Sequence, residues 1–444
     1  MKHKLSESVF IEEYYDVYII YAPLKQIAFK LEKESLESIV SLADGMIEVL
    51  NKKGNQLLSF FEEHGLIAKD TSENEIINLS PPDFSPTSLY LLLTSDCNLR
   101  CKYCFSNGGD TQTNLQLEVA KSAIDIIVNN SITTSKTPKI CFHGGGEPTL
   151  RWEELTLAAE YFRKQSAKSG LKSIIALNTN GVLSDKKLEW IKENIDNITI
   201  SLDGIGAIHD MQRPMKNGDA SFPKVWRTLN FLNDKKKKFN VRVTITQNNV
   251  KHMKDMVETL SEFDLNGIEF EPLSICGRGY TENIAAPTVD EYIAGYMSAN
   301  EIGRQKNVNI LYSGVRLGVI SNKFCGAAGK NFAVSPSGHA TFCHRVSDPM
   351  DPQSPFFFYG YYSAEKNAFI FDYKKIRSML NLNCESSTAC KSCFIKWNCG
   401  GGCYAQNMAE HGTLLLDTPS EHCLISKGIA AYQLSEKLEL WKNE

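Results

Sequence analysis

Leu89-Tyr90-Leu91-Leu92-Leu93-Thr94-Ser95-Asp96-Cys97-Asn98-Leu99-Arg100-Cys101-Lys102-Tyr103-Cys104 is the stretch that decides the fold. An apolar run that reads as a buried strand ends in three cysteines spaced Cys-x3-Cys-x2-Cys. An iron–sulfur cubane normally takes four thiolates. Three thiolates this close together hold three irons and leave the fourth open, as an open zinc position is left for a substrate. Zinc is the rival reading. It usually takes paired Cys-x2-Cys elements that close a four-ligand site, and Cys97 spoils a simple pair.

The next apolar stretch runs into Cys141-Phe142-His143-Gly144-Gly145-Gly146-Glu147-Pro148. Glycines let a backbone approach a ligand closely, and a carboxylate beside them can take an ammonium group. A Gly-rich turn alone is only a turn. One strand–helix unit after the cysteine loop, it says more. The two elements together resemble the radical SAM enzymes. The resemblance implies a [4Fe-4S] cluster on Cys97, Cys101 and Cys104. It implies S-adenosylmethionine held through its amino group by the element Gly145, Gly146, Glu147 and Pro148.

The middle of the chain alternates strand and helix patterns. Strands are expected at 89–94, 139–143, 173–178, 197–202, 241–247 and 267–272, with helices at 115–129, 152–169, 185–194, 224–236 and 253–263. Such alternation predicts a parallel sheet with outer helices. Six units fit a partial (β/α)6 TIM-type barrel, which is also the fold the resemblance implies. Chemistry in such folds gathers at the C-terminal ends of the strands, and the motifs obey that rule. By resemblance, Ser201 lies near the SAM ribose and Arg213 pairs with the SAM carboxylate, where an arginine fork suits the geometry. Asn178 joins the cofactor contacts. Asn178, Asn180 and Asp203 also read as ordinary turn formers before glycine.

A second cysteine array runs Cys325-x12-Gly338-x4-Cys343, Cys390-x2-Cys393-x5-Cys399-x3-Cys403, then Cys423. It resembles the seven-cysteine SPASM extension of peptide- and protein-modifying radical SAM enzymes. Taken alone, Cys390, Cys393, Cys399 and Cys403 also read as a zinc ribbon. The SPASM resemblance implies two auxiliary [4Fe-4S] clusters, an outer one on Cys390, Cys393, Cys399 and Cys423 and an inner one on Cys325, Cys343 and Cys403. Some relatives supply a fourth inner ligand at the position of Val319, which cannot ligate, so the inner cluster has an open iron or takes Cys384. Cys141 reads as a small buried hydrophobe, and Cys276 stays open between loop and site.

Residues 1–85 read as a small N-terminal α+β region, with strands at 15–21 and 26–31, helices at 34–42 and 55–63, and a linker at 81–86. It is either a winged-helix-like peptide recognition module or a cap on the barrel. The barrel then spans 86–310, the SPASM domain 311–425 and a C-terminal helix 426–444. The odd count of 13 cysteines in 444 residues, behind a polar start, argues against a disulfide framework and for a reducing cytoplasmic setting. A net charge of -4 gives no support to a nucleic-acid partner, and no apolar run is long enough to span a membrane.

Two enzyme classes follow from the resemblance. One matures a ribosomally made precursor peptide by a thioether or carbon–carbon crosslink. The other is the anaerobic sulfatase-maturating class, which carries an Asp base after the second SPASM cysteine, where this chain has His344. Either needs a reducing partner such as flavodoxin or ferredoxin. A non-enzymatic electron-transfer protein is a third class, disfavoured because the Gly-Gly-Glu-Pro element has no use without SAM.

Overall fold

The computed structural model of the chain describes residues 2–15, 17–41, 46–67 and 84–440. Six strands, Ser88–Leu91, Lys139–Phe142, Ile174–Thr179, Asn197–Ser201, Phe239–Ile245 and Leu265–Pro272, lie side by side in chain order, all parallel. Helices Leu117–Thr134, Trp152–Lys168, Asp185–Asn194, Phe222–Asp234 and Met253–Leu260 alternate with them. This is the expected (β/α)6 partial barrel, with element ends displaced by a few residues. Trp152–Lys168 shows why such a helix forms. Leu155, Ala158, Ala159 and Phe162 recur on one face and are buried, while Glu153 and Glu154 open the helix and Lys168 closes it, each sign matched to the helix dipole. Truncating the fully buried Phe162 to Ala would cost about 3–5 kcal/mol.

Along the strands, Ile140 and Phe142, Ile175 and Leu177, Ile198 and Ile200, and Val241 and Val243 are buried in the core. Side chains alternate across a sheet, so Tyr90, His143, Ala176, Asn178, Thr199, Ser201, Arg242, Glu269 and Glu271 take the opposite face. That face usually carries layers of branched apolar side chains in a closed barrel. Here it is polar, and Arg242 retains 44% of its side-chain accessibility deep in the fold.

Residues 311–425 do not form a detached domain. Phe332–Val334 pairs parallel with the first barrel strand, Phe332 opposite Leu89. His339–Thr341, Phe358–Ser363 and Ala368–Phe371 then continue the same sheet antiparallel, while Ile310–Leu311 joins its other margin beside Leu265–Pro272. The C-terminal helix starts earlier than expected, at Glu421, and so carries Cys423 in its first turn.

The N-terminal region departs most from expectation. A strand not foreseen, Phe10–Tyr14, pairs with Val17–Ala22, which pairs in turn with Ile27–Glu32. The helix expected at 34–42 is only Lys33–Leu36, and Ile39–Ser41 continues as a strand paired with Met46–Val49. The β-branched pair Ile39-Val40 favours that outcome. The second helix is Lys52–Glu63, with the Asn51 side chain accepting from the Gly54 N–H. Residues 81–83 of the expected linker lie outside the described residues. The region packs on the residues around Trp397 and Asn398. Tyr21 Oη donates to Asn398 Oδ1 at 2.8 Å, and the Phe10 and Trp397 rings meet edge to face at 6.1 Å.

Candidate functional site

The first cysteine loop leaves its strand through Thr94 and Asp96. The Asp96 N–H donates to Thr94 Oγ1 at 3.0 Å, and the Cys97 N–H to Asp96 Oδ1 at 2.9 Å. Two arginines staple the loop. Arg100 donates to the carbonyls of Cys97, Leu99 and Gly109 at 2.7–2.9 Å. Arg278, from the loop after the sixth strand, donates to the carbonyls of Cys101 and Gly108 at 3.0 Å and to Asp110 at 2.7 Å. Backbone amides point at sulfur: Gly108 N–H to Cys104 Sγ at 3.2 Å and Leu99 N–H to Cys97 Sγ at 3.5 Å. Such donors favour thiolate over thiol. Burial pushes the Cys97 thiol up to about 12 and the Cys101 thiol to about 11, so iron has to displace their protons. A methyl group on Gly108 would stand 3.5 Å from Cys104 Sγ and 3.0 Å from the Gly145 carbonyl. The loop is therefore cradled around its sulfurs and fits a cluster.

The Gly144–Pro148 turn wraps this loop. Gly144 and Gly145 have φ of +47° and +77°. A Cβ on Gly146 would sit 1.7 Å from the Asp96 carbonyl. That contact requires glycine. Glu147 is 2% exposed. Its Oε1 accepts from Thr149 N–H, Thr149 Oγ1 and Thr179 Oγ1, and its Oε2 from the Asn180 N–H at 2.8 Å. All four donors are neutral, and among the described residues no cation lies in ion-pair range. Lys187 senses Glu147 from outside that range and donates to the Thr149 carbonyl at 2.7 Å, which leaves the carboxylate itself to a ligand ammonium. Pro148 opens the short helical turn that follows.

Arg213, expected to meet the SAM carboxylate, also has partners within the protein. Its guanidinium stands 3.7 Å from Asp203 and donates to Tyr103 Oη, while Tyr103 Oη donates to Asp203. Only Nε is buried without a partner. Arg213 thus ties the fourth strand end to the cysteine loop. Asn178 and Ser201 lie at the ends of the third and fourth strands, on the same mouth as the loop. Asn180 Nδ2 donates to Asn98 Oδ1 at 2.7 Å, which makes it part of the loop's support.

The SPASM thiols sort into two sets. Cys343 is pushed up to about 12 by burial and then by Cys403 and Cys325. Cys399 is pushed up to about 12 by burial and then by Cys423, Cys393 and Cys390. Among the described residues no three His, Cys, Asp or Glu converge tightly enough for one bare ion. Of the leftover cysteines, Cys384 stands with Cys390 and Trp397 in one buried cluster, beside the outer set. That placement argues against Cys384 as the inner cluster's extra ligand. Cys276 is the leftover thiol near the inner set, because Arg345 donates to Cys276 Sγ at 3.1 Å and to Cys403 Sγ at 3.8 Å. Sequence reading missed Arg278, Arg345, Tyr103 with Asp203, and the interior group Tyr90, His143, Arg242, Glu269 and Glu271. The available signal was a polar residue at alternate positions of otherwise apolar strands.

Residues 91–269 match the family model described as the Radical SAM superfamily. A cysteine-type anaerobic sulfatase-maturating enzyme of Clostridium novyi is 27% identical over 184 residues, which cover 40% of this chain and 49% of that protein. The chain spans about half the length of the curated relatives it matches. The structure of anSMEcpe with bound AdoMet superposes with a TM-score of 0.60 at 21% identity, over 80% of this chain and 94% of that one. SuiB of Streptococcus suis, bound to the precursor peptide SuiA, superposes with a TM-score of 0.53 at 14% identity, over 94% and 99%. At these identities the two superpositions speak to the fold. No helix among the described residues is long and apolar enough to cross a membrane.

Proposed function

We propose that this chain, whose residues 91–269 are a radical SAM domain related to SPASM-type peptide modifiers and anaerobic sulfatase maturases, closes thioether or carbon–carbon crosslinks in a ribosomally made precursor peptide. Bound S-adenosylmethionine and its [4Fe-4S] cluster supply a 5′-deoxyadenosyl radical, and the protein positions and shields that chemistry. Cys97, Cys101 and Cys104 would hold the cluster. Gly145 and Gly146 let the backbone close over the cofactor, and Glu147 takes its ammonium, with Pro148 fixing the turn. Asn178 and Ser201 offer polar contacts at the mouth. Arg213 would meet the cofactor carboxylate through the rest of its guanidinium, since Nη1 serves Asp203 and Tyr103. Cys325, Cys343 and Cys403 would hold an inner auxiliary cluster, and Cys390, Cys393, Cys399 and Cys423 an outer one. A flavodoxin or ferredoxin supplies the electron.

The observation that carries the peptide reading is the N-terminal three-stranded sheet. Phe10–Tyr14 and Ile27–Glu32 form its two edges, and an edge strand can take up an extended peptide by strand addition. The SuiB superposition extends over 94% of the chain and so takes in this region, whereas that of anSMEcpe covers 80%. The test is co-expression with short reading frames beside the gene, followed by mass spectrometry. A crosslink removes one hydrogen from each of two sites, a loss of about 2 Da. The sulfatase-maturating reading is about as well supported by the relatives. An unchanged peptide, with a sulfatase-derived Cys or Ser converted to an aldehyde, would establish that reading instead.

A further inference from the structure

Cys276 is left over by the assignments above. It caps the short helical turn Gly277–Tyr280 that follows the sixth barrel strand, and it is 8% exposed. That turn is fixed against the first cysteine loop. Gly277 has a φ of +54°, and a Cβ there would sit 2.4 Å from the Cys104 carbonyl and 2.6 Å from that of Phe105. Only glycine tolerates both the conformation and the approach. The next residue, Arg278, donates its N–H to the Cys104 carbonyl at 3.0 Å. The backbone thus sets the position of the Cys276 thiol from the barrel side.

Its other side faces the inner cysteine set, and one guanidinium spans the gap. Arg345 Nη2 donates to Cys276 Sγ at 3.1 Å and to Ser274 Oγ at 3.3 Å, and Nη1 donates to Cys403 Sγ at 3.8 Å. The two sulfurs therefore flank a single planar group. Cys403 in turn groups with Cys343 and Cys325. A guanidinium in a protein is always charged. Among the described residues no carboxylate lies in ion-pair range of Arg345, and Asp351 senses it from outside that range. Neutral thiols compensate a partly buried cation poorly, whereas metal-bound thiolates carry the opposite charge and accept charge-assisted hydrogen bonds. The arginine points to thiolate at both of its sulfurs, Cys276 as well as Cys403. A cubane normally takes four thiolates, of which Cys325, Cys343 and Cys403 supply three.

We propose that Cys276 is the fourth protein ligand of the inner auxiliary cluster. The inference rests on the reading of Cys325, Cys343 and Cys403 as cluster ligands, and it closes the iron that those three leave open. On ligation the Cys276 S–H bond breaks, a sulfur–iron bond forms and the proton leaves to solvent, with no electron transferred. A cluster closed in this way can pass an electron but offers no iron to a substrate atom. The test uses the full chain with Cys97, Cys101 and Cys104 replaced by Ala, so that the auxiliary clusters are read alone. After anaerobic reconstitution this background chain should hold about eight irons. When ferricyanide takes an electron from a cubane, an iron without a thiolate is the one lost, and electron paramagnetic resonance reads the [3Fe-4S] product. The background chain should keep its irons and stay silent. Adding Cys276→Ala should release about one iron and produce the signal. Cys276→Ser, whose oxygen can still ligate, should produce less of it, and Cys384→Ala should match the background. In every variant the irons of the outer set report an intact fold. A [3Fe-4S] signal from the background chain itself, a silent Cys276→Ala chain, or a signal that appears with Cys384→Ala instead overturns the proposal. The cluster reading fails separately, if the background chain takes up zinc or far fewer than about eight irons, and the proposal falls with it.

Discussion

The first cysteine loop and the outer SPASM array carry the same ligand type in two kinds of support. The loop sits at the end of a barrel strand and is fixed from outside itself, by Arg278 after the sixth strand and by backbone bonds to the 212–214 segment. The outer array is tied in part by local turns. Cys390 N–H donates to Ser387 O, Cys393 N–H to Cys390 O, and Ser420 Oγ to Cys423 Sγ at 3.5 Å. Its long-range support comes from the 316–322 and 416 segments, by backbone bonds such as Ser321 N–H to the Trp397 carbonyl and Ala389 N–H to the Leu416 carbonyl, and from the N-terminal sheet, through Tyr21 and Phe10. A loop built on the barrel is organised before iron arrives. An array built on local turns gains much of its order from the metal, because ligand binding energy is then folding energy.

The largest expected effect tests that contrast directly. Replacing Cys97, Cys101 and Cys104 together by Ala should remove about four irons and all SAM cleavage, while the far-ultraviolet circular dichroism stays native. Replacing Cys390 and Cys393 should also remove about four irons, but it should in addition open the 384–423 segment to protease. Equal protease resistance in the two variants would dissolve the comparison.

A smaller effect belongs to Glu147. Glu147→Gln keeps the shape and the neutral donors but removes the charge, so SAM affinity should fall roughly tenfold to hundredfold with iron content unchanged. Titration of the reconstituted protein with SAM measures it. Undiminished affinity would mean that the buried carboxylate serves only Thr149, Thr179 and Asn180, and that the glycine cradle is a strut like the arginine staples.

The same contrast explains what the sequence disclosed. The barrel was legible because strands and helices alternate with clear periods, and because a (β/α) fold sends its functional residues to one end. The cysteine groupings that propose cluster ligands were read from spacing alone. Spacing placed Arg213 near the mouth but could not show that Asp203 stands within 3.7 Å of it. Arg278 and Arg345 act across long sequence separations, which no local pattern encodes. In the N-terminal region short strands with mixed burial gave no firm period, so Phe10–Tyr14 was missed and 34–42 was read as one helix.

The smallest effect concerns the joint between the N-terminal sheet and the outer array. Tyr21 is 5% exposed, and its hydroxyl donates to Asn398, the residue before Cys399. Asn398 Nδ2 in turn reaches the carbonyls of Arg316, Leu317 and Val319 at 3.2–3.4 Å. Tyr21→Phe removes one buried hydrogen bond and leaves Asn398 Oδ1 unpaired. It should cost about 1–3 kcal/mol in denaturant unfolding of the SPASM transition and should speed iron loss from the outer set under a mild chelator. The first cluster should keep its iron, because its staples lie elsewhere. If both clusters lose iron together, the N-terminal sheet supports the whole mouth, and a deletion before Ser85 could not be read as loss of peptide recognition alone.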